Sequence, residues 1–342
     1  MHVFLNHHGW LTKMQTQEYH KEAPKLSDAA TFSSQTSRDF EEQASLLMGW
    51  NQDYAQLSSG AFIGYVTDLH FDDMHLFLEF TNQSLFQNGQ LNDDVIAIGV
   101  PLALNSPGIF CGTACNDYSL HIFSGKDGFE FYSPMGLIMA GITLKRSELI
   151  PLLGDNAEQL LNRLCAHSHL MNLGHQKLQA LRDLMSGAFE MLHKHPAIAF
   201  DHQAMSSLKQ NILTEVANCL CESEQCEQQI SMTKCWSILG ESRQFVHEHC
   251  DSPISVADLC EHLDISRRSL QYSFQQYLNT NPIAYLRAER LNGVRRMLKT
   301  ANSVTEAAAH WGFWHFGHFA QEYKKMFGEL PSATFRRLHQ LN

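Results

Sequence analysis

The spacing of hydrophobic residues changes along the chain, and the change predicts two kinds of secondary structure. Between about residues 60 and 145, short runs of β-branched and aromatic residues are separated by Gly, Pro, Asn and Asp, a pattern typical of antiparallel strands joined by turns. From about residue 147, apolar residues recur three and four positions apart, as on one face of an amphipathic helix. The sequence therefore predicts an α+β protein, with an N-terminal antiparallel β-barrel or sandwich followed by helices.

Turn-forming residues set the boundaries of the predicted strands. Asp72 and Asp73 fit a two-residue hairpin loop. The predicted strands are Ala61 to Phe71, Met74 to Thr81, Asp94 to Leu104, Gly108 to Gly112, Ser119 to Phe123, Glu130 to Ser133 and Met135 to Leu144. Residues 1 to about 45 are rich in Ser, Thr and Gln, and we expect a partly ordered lead-in there. Lead-in and strands together make a β-rich domain over residues 1–147.

Amphipathic patterns predict a helical linker over residues 148–232. The expected helices are Ala157 to Leu173, Gln176 to His193 and Met205 to Glu222. Paired helices in this position fit either a dimer interface or ordinary packing. We favour the dimer interface slightly.

The last part of the chain, residues 233–342, contains the same module twice. The copies run from Ser255 to Phe274 and from Ser303 to Tyr323. Each predicts a short helix, a tight turn and a second helix, which is the helix-turn-helix pattern. Each copy also begins with a capping box, in which two side chains satisfy backbone amides at the helix start. The capping pairs are Ser255 with Asp258 and Ser303 with Glu306.

Two further helices frame the modules. One is expected from Cys235 to Cys250, ahead of the first copy. A long connecting helix is expected from Pro282 to Lys299, because Asn281 is a good cap and proline is favoured at the first helical position. The C-terminal domain is therefore predicted to be all-α.

Charge is divided unevenly between the two ends of the chain. The net charge is −11, yet residues 265–342 contain eleven Lys or Arg against four Glu, which gives this stretch +7 and leaves −18 for the rest. A basic end on an acidic body is typical of a nucleic-acid-binding module joined to a different domain. Apolar runs are far shorter than the ~20 residues of a membrane helix, and the N-terminus lacks a leader pattern, so we expect a cytoplasmic protein without membrane contact.

Several motifs in the repeated region resemble those of AraC/XylS-type transcription regulators. They are Ser266-Arg-Arg-Ser-Leu-Gln271, Pro282-x-x-Tyr-Leu-Arg287 and Tyr323-Lys-Lys-Met-Phe-Gly328, and the resemblance covers residues 240–338. It implies binding to double-stranded promoter DNA, contact with RNA polymerase, and a cupin-like N-terminal domain that senses a small-molecule effector.

The upstream half is also similar to regulators of ethanolamine operons and of quinohemoprotein amine dehydrogenase operons. This resemblance rests on Trp50, on Phe71 to Phe80 and on the ending Met326 to Arg337. It implies an amine or amino alcohol as the effector, which the acidic residues of the body would suit.

The resemblance places base-reading positions on the second helix of each module. The exposed N-terminal face of such a helix meets base edges in the major groove. Arg268 suits guanine and Gln271 suits adenine, whereas Phe316 fits thymine methyl groups and Gly317 can read nothing. The candidates are Arg267, Arg268, Ser269, Gln271, Tyr272, His315, Phe316, Gly317 and Gln321.

Phosphate contacts are expected from basic residues around the reading helices. The candidates are Arg287, Arg290, Arg295, Lys324 and Arg336. Two reading helices joined by a rigid helix should enter adjacent major grooves, about one helical turn or ~34 Å apart.

An apolar pocket inside the β-domain is the expected effector site. Its candidate lining is Tyr65, Phe77, Phe80, Phe110 and Tyr132. Core packing explains each of these side chains equally well.

His70, Asp72, Asp73, His75 and Glu79 are residue types that bind metals. In a regular strand His70 and His75 would point to opposite faces, although a hairpin between them would change this. We predict no metal and no cofactor, and we expect the nine cysteines to be reduced, unpaired thiols.

We interpret the chain as an effector-responsive transcriptional activator and not as an enzyme, because no nucleophile elbow or phosphate-binding glycine loop is present. Two alternatives stay open: a DNA-tethered, metal-dependent β-barrel enzyme, and a constitutive repressor without a ligand. Homodimer formation and redox sensing by the cysteines also stay open.

Overall fold

The architecture comes from a computed structural model that describes residues 30–92, 94–116, 118–221, 234–252 and 254–340. Most of the predicted lead-in (residues 1–29) and the junction at residues 222–233 lie outside these ranges. The described chain contains two antiparallel sheets followed by helices, so the predicted α+β class is confirmed.

The strands fall into two antiparallel sheets. Strands β1 to β12 span, in chain order, Thr31–Ser37, Asn51–Gln56, Gly64–His70, Met74–Thr81, Leu85–Gln90, Val95–Ala103, Ile109–Phe110, Thr113–Ala114, Ser119–Phe123, Phe129–Ser133, Leu137–Lys145 and His169–Asn172. The larger sheet has the order β1-β3-β4-β11-β6-β9-β12, and the smaller has the order β2-β5-β10-β7-β8.

Helices α1 to α12 span, in chain order, Phe40–Leu46, Arg146–Leu153, Ala157–Leu164, His175–Lys194, His202–Cys221, Lys234–Glu248, Val256–His262, Arg267–Leu278, Pro282–Met297, Val304–His310, Phe316–Phe327 and Pro331–Gln340. A short 3-10 helix, Pro196–Phe200, connects α4 to α5. None of the helices in the described ranges is both long and apolar enough to cross a membrane.

The larger sheet is apolar on both faces. Alternate residues of each strand point to opposite faces. One set, including Leu76 and Ile142, packs with side chains of α4 and α5 in one core. The other set, including Phe77 and Phe123, shares a second core with the smaller sheet, in which the ring of Phe123 is 5.0 Å from that of Phe110. The space between the sheets is therefore a closed aromatic core, and the helices cover the outer face.

The helical linker is part of the β-domain rather than a separate connector. The apolar stripes of α4 and α5 are buried against the larger sheet, so ordinary packing accounts for them. The predicted helix from Ala157 to Leu173 is wrong in its second half, because α3 ends at Leu164 and His169–Asn172 forms β12 beside β9. That edge position supplies the backbone hydrogen bonds that a helix would have made internally.

The part of the lead-in that is described is ordered. Residues Thr31 to Ser37 form β1, an edge strand paired with β3 over its full length. Asp39 caps α1, accepting bonds from the amides of Glu41 and Glu42 at 2.9 and 3.4 Å. This segment at the end of the predicted lead-in forms a strand that its polar sequence did not signal, because pairing with β3 supplies its backbone hydrogen bonds.

The hairpin of β3 and β4 forms at the predicted place. Asp72 and Asp73 make the connection, and the amide of Phe71 bonds the carbonyl of Met74 at 2.8 Å. His70 and His75 are paired across the two strands, so both lie on the inner face of the sheet. The turn reverses the chain between them, so the hairpin alternative holds and the alternation of a single regular strand does not apply.

The C-terminal helices share a core centred on α9. Leu270 and Phe274 of α8 and Phe319 and Tyr323 of α11 are buried in this core. Gly293 of α9 lies under Trp311, where a Cβ atom would approach the indole to 2.2 Å. The close approach fixes the turn of the second module on the connecting helix.

Candidate nucleic-acid interface

The first module has both halves of its predicted capping box. The amide of Asp258 donates to Ser255 Oγ at 3.2 Å, and the amide of Ser255 donates to Asp258 Oδ2 at 2.8 Å. The turn that follows contains Asp264 with a φ of 49°. Ser266 then caps α8 by accepting a bond from the amide of Ser269 at 3.1 Å. The orientation of α8 is therefore fixed by local hydrogen bonds as well as by its buried side.

The second module has only half of the predicted box. The amide of Glu306 donates to Ser303 Oγ at 3.1 Å, as expected. The carboxylate of Glu306, however, accepts from the amide of Asn302 at 2.8 Å rather than from Ser303. Gly312 has a φ of 71° in the turn before α11, a conformation that glycine adopts without strain.

All five first-copy reading candidates are exposed. They occupy the first two turns of α8, and they are Arg267, Arg268, Ser269, Gln271 and Tyr272. Tyr272 is 62% exposed, although its aromatic ring would favour burial. Because Leu270 and Phe274 anchor the opposite side, α8 presents a polar, basic face to solvent.

The second-copy candidates are exposed as well, but they are less polar. His315, Phe316, Gly317 and Gln321 all lie at the surface of α11 or at its start. The sequence reasoning missed Trp314, which is 61% exposed beside the 43% exposed Phe316. A large aromatic residue just before a reading helix was the available signal. The surface of the second copy thus offers two aromatic rings where the first offers arginines.

Arg295 is not a phosphate contact in this arrangement, so that prediction is wrong. Its side chain is 3% exposed, and its guanidinium bonds Asp39 Oδ2 at 2.7 Å and Glu329 Oε1 at 3.1 Å. The sequence shows an arginine on a helix of a basic domain, and it does not show that this face of α9 meets the β-domain.

The other four phosphate candidates differ in accessibility. Lys324 and Arg336 are exposed. Arg287 is exposed but paired with Glu322, Nε to Oε1 at 3.0 Å. Arg290 is half-buried, donates twice to the carbonyl of Trp311 and stacks on Phe313. Its guanidinium therefore holds the turn of the second module.

Asp39 joins the two domains through a buried ion pair. Its Oδ1 caps α1, while its Oδ2 accepts from Arg295 and from Arg337 Nη1 at 3.1 Å. Burial alone would raise the pKa of Asp39, but the charge and hydrogen bond of Arg295 outweigh it and hold the pKa below its usual value. Asp39 is thus ionised at neutral pH and ties α9 and α12 to the β-domain.

A side-chain amide makes a second contact between the domains. Asn292 of α9 accepts a bond from the amide of Gln56 at 3.0 Å and donates to the carbonyl of Gln56 at 2.7 Å. Gln56 ends β2, an edge strand, so Asn292 occupies the position of a neighbouring strand.

The C-terminal half of α11 also contacts the β-domain. The carbonyl of Met326 accepts from Gln56 Nε2 at 2.7 Å and from the amide of Gly60 at 3.0 Å. Beside these bonds runs a groove of about 600 Å³, bordered by Ser59, Arg287, Gln321 and Lys325 among others. The C-terminal half of α11 is therefore attached to the β-domain, and Gln321 lies at the edge of the groove.

The predicted effector lining does not form one pocket. Phe77 and Phe110 lie between the sheets. Tyr65 and Phe80 belong to the outer face under the helices, and Tyr132 lies at the contact with the C-terminal domain, its hydroxyl 3.5 Å from that of Tyr285. The prediction of a common lining is wrong, because strand alternation sends these residues to different faces.

Comparison with known proteins agrees with the double module. Residues 259–337 match a family model described as a helix-turn-helix domain. Over 98 residues the chain is 42% identical to the XylDLEGF operon transcriptional activator 1 of Pseudomonas putida. These residues are 28% of this chain and 30% of that protein. The XylDLEGF operon transcriptional activator 2 of the same organism is 41% identical over 102 residues, which are 29% of this chain and 64% of that protein.

Among solved structures, the AraC-like transcriptional activator CuxR is 15% identical, over 76% of this chain and 94% of that chain, with a TM-score of 0.43. The chain spans less than two thirds of the length of either Pseudomonas relative.

The motif, the repeat and the sequence matches define the class of the C-terminal region, which is a helix-turn-helix domain similar to those of the two Pseudomonas activators. Both matched relatives are named as transcriptional activators, and neither is named as an enzyme. The similarity of the upstream half to ethanolamine-operon and amine dehydrogenase-operon regulators stays a prediction.

Proposed function

We propose that the chain is a sequence-specific DNA-binding regulator that activates transcription from a promoter. The observation that carries this proposal is the pair of helices α8 and α11, each anchored by buried aromatic residues and each exposing the positions that would meet bases. Side chains left in solvent at the start of a helix-turn-helix second helix are placed to enter a major groove.

The two copies would read DNA differently. Arg268 and Gln271 have the planar donor and acceptor groups that recognise guanine and adenine, each worth about 1–3 kcal/mol of discrimination. Phe316 and Trp314 offer apolar surface, which suits thymine methyl groups. We therefore assign most of the sequence selectivity to α8, with Gln321 as the polar contributor from α11.

Phosphate binding would come from exposed cations near the two helices. Lys324 and Arg336 are exposed and can reach a DNA backbone, and Arg287 could exchange Glu322 for a phosphate. These contacts would hold the protein in register without selecting a sequence.

The contacts between the domains suggest how an effector would act. Gln56 and Gly60 of the β-domain hold the end of α11, and Asp39 holds α9. A small molecule that changes the β-domain would shift the population of positions open to the second reading helix. An amine is our proposed effector class, and RNA polymerase and a second copy of the chain are proposed partners.

Selection of bound genomic fragments by the full-length protein tests the proposal. Wild type should enrich a defined motif. Arg268→Ala should lose preference at one base position, corresponding to about 1–3 kcal/mol. Lys324→Ala should weaken binding to every fragment and reduce the salt dependence of the affinity by about one phosphate contact.

Arg163→Ala is the matched control, because Arg163 is exposed on α3 in the β-domain, away from both modules. It should bind like wild type. If wild type enriches no motif, or if all three variants behave alike, the assignment of α8 as the reading helix is wrong.

A further inference from the structure

Asp68, His70 and His75 meet on the inner face of the β3–β4 hairpin. Asp68 and His70 lie two positions apart on β3, and His75 is the cross-strand partner of His70. Both spacings place side chains on one face. The three ligand-type atoms lie within 4.8 Å of one another. The backbone register, which the two-residue turn fixes, therefore brings these three side chains together.

The two imidazole rings share a single carboxylate. His75 Nε2 is 2.8 Å from Asp68 Oδ1, and His70 Nε2 is 4.0 Å from the same oxygen. The rings are stacked, with centroids 3.9 Å apart and planes within 8°. An Asp–His hydrogen bond explains the first pair but gives no reason for the second ring to direct its Nε2 at the same oxygen. An ion bound by all three atoms would explain why both rings direct Nε2 at this oxygen.

The surroundings fit an ion that is reached from one side. The Asp68 side chain is 4% exposed and that of His70 is 29% exposed, so the cluster opens to solvent past His70. The ring of Phe77 lies 5.4 Å from that of His75 and screens the inner side. Thr143 is the other cross-strand neighbour of His75, and its buried hydroxyl oxygen has no hydrogen-bond partner among the described residues. A metal-bound water would supply one.

We propose that Asp68, His70 and His75 bind a divalent transition-metal ion of the zinc class, with water as the remaining ligand. Two imidazole nitrogens and one carboxylate oxygen are donors that such ions accept, at about 2.0–2.2 Å. Three donors around a tetrahedral ion lie about 3.3 Å apart, so small side-chain rotations from the present spacing suffice. The site does not depend on DNA binding by the other domain.

Glu79, Asp72 and Asp73 do not belong to this site. Glu79 is on the same face but is held by Tyr54 and Gln43. Asp72 is exposed in the turn and is not grouped with the three ligand atoms. Asp73 pairs with Lys209 of α5, which also pairs with Glu148. The ligand set is therefore two of the five sequence candidates, His70 and His75, together with Asp68.

Titration of metal-free, full-length protein with Zn²⁺ in a calorimeter tests the proposal. Wild type should bind one equivalent of Zn²⁺. His70→Ala and His75→Ala should each lower the affinity for this equivalent by about 100-fold or more, since loss of a residue that only supports a ligand already costs about 10–100-fold. His202→Ala, which changes an exposed histidine on α5, is the matched control and should keep the equivalent.

Two measurements separate this site from other donors in a chain with 20 histidines and nine cysteines. Circular dichroism establishes whether each variant is folded. If a histidine variant is not folded, Asp68→Asn, which keeps the shape of the side chain, takes its place in the titration. Co²⁺ bound in place of Zn²⁺ should give a spectrum of nitrogen and oxygen ligands without thiolate charge transfer. The proposal is overturned if the folded variants bind as wild type does, or if the bound Co²⁺ shows thiolate ligation.

Discussion

Replacing Asp39 with Asn removes one charge from the contact between the domains and leaves the cap of α1 in place. Asn is as good an N-cap as Asp, because its carbonyl oxygen accepts the same amide bonds. The charge lost is the one that faces Arg295, whose side chain is only 3% exposed. The variant therefore tests the ion pair separately from the helix cap.

The expected loss of stability can be worked out from the partners that remain. Breaking a fully buried ion pair by removing one partner costs about 3–5 kcal/mol. Here Glu329 still accepts a bond from Arg295 at 3.1 Å, and the bond of Asp39 to the 42% exposed Arg337 contributes less than about 1 kcal/mol. We therefore expect Asp39→Asn to lower the free energy of unfolding by about 2–3 kcal/mol.

Urea unfolding followed by tryptophan fluorescence measures this difference. Asp201→Asn is the matched control, because exposed Asp201 also caps a helix, α5, through bonds to the amides of Gln203 and Ala204. It should change stability by less than about 0.5 kcal/mol. Equal effects of the two substitutions would refute the ion pair as the link between the domains.

The same pair predicts a pH dependence. The folded-state pKa of Asp39 is lowered, so its contribution is complete above the unfolded value of about 3.9 and is lost as pH falls through the folded value. The difference between wild type and Asp39→Asn should therefore be constant from pH 5 to 8 and shrink below about pH 4. A difference that grows in acid would contradict this sign.

Two further substitutions test other parts of the molecule. Burial raises the pKa of Glu79 to about 7, so the folded protein loses stability as pH rises from about 4.3 to 7. Glu79→Gln should therefore be more stable than wild type at pH 8 by about 1–3 kcal/mol, and no more stable at pH 5. Thermal melts at the two pH values measure the difference. Gly293→Ala should destabilise the C-terminal core by about 1–3 kcal/mol in urea unfolding, because the new methyl group overlaps the ring of Trp311. Gly317→Ala is its control, because Gly317 is exposed and a Cβ atom there would meet nothing within 4 Å. The control should be neutral or stabilising. If the Gly293 and Gly317 variants unfold alike in urea, the close approach of α9 to the turn is not as described.

Local signals were enough to place the elements of the double module. Ser255 and Ser303 both cap helices, and Asn281 accepts a bond from the amide of Ala284 at 2.9 Å at the start of α9. Strands β4 and β9 also have the predicted bounds. These features depend on residues close together in sequence, where capping and turn chemistry act.

Features that depend on distant partners could not be predicted. β1 and β12 are edge strands that form because they pair with β3 and β9; β1 is too polar to signal a strand, and the apolar residues of β12 fitted the helical pattern before it. Arg295 looked like a surface cation because the sequence does not show which face of α9 meets the β-domain. The sequence left open whether His70 and His75 share a face, because the alternation rule holds within one strand and fails across a turn.

Hydroxyl-radical footprinting of the full-length protein on a selected DNA fragment tests the central claim most directly. Two helices on one connecting helix should protect two backbone segments on the same side of the duplex, with centres about one helical turn or 10 base pairs apart. Arg268→Ala should weaken the first protection more than the second. Protection of a single groove, or of two segments on opposite sides of the duplex, would contradict a double reader held in one orientation.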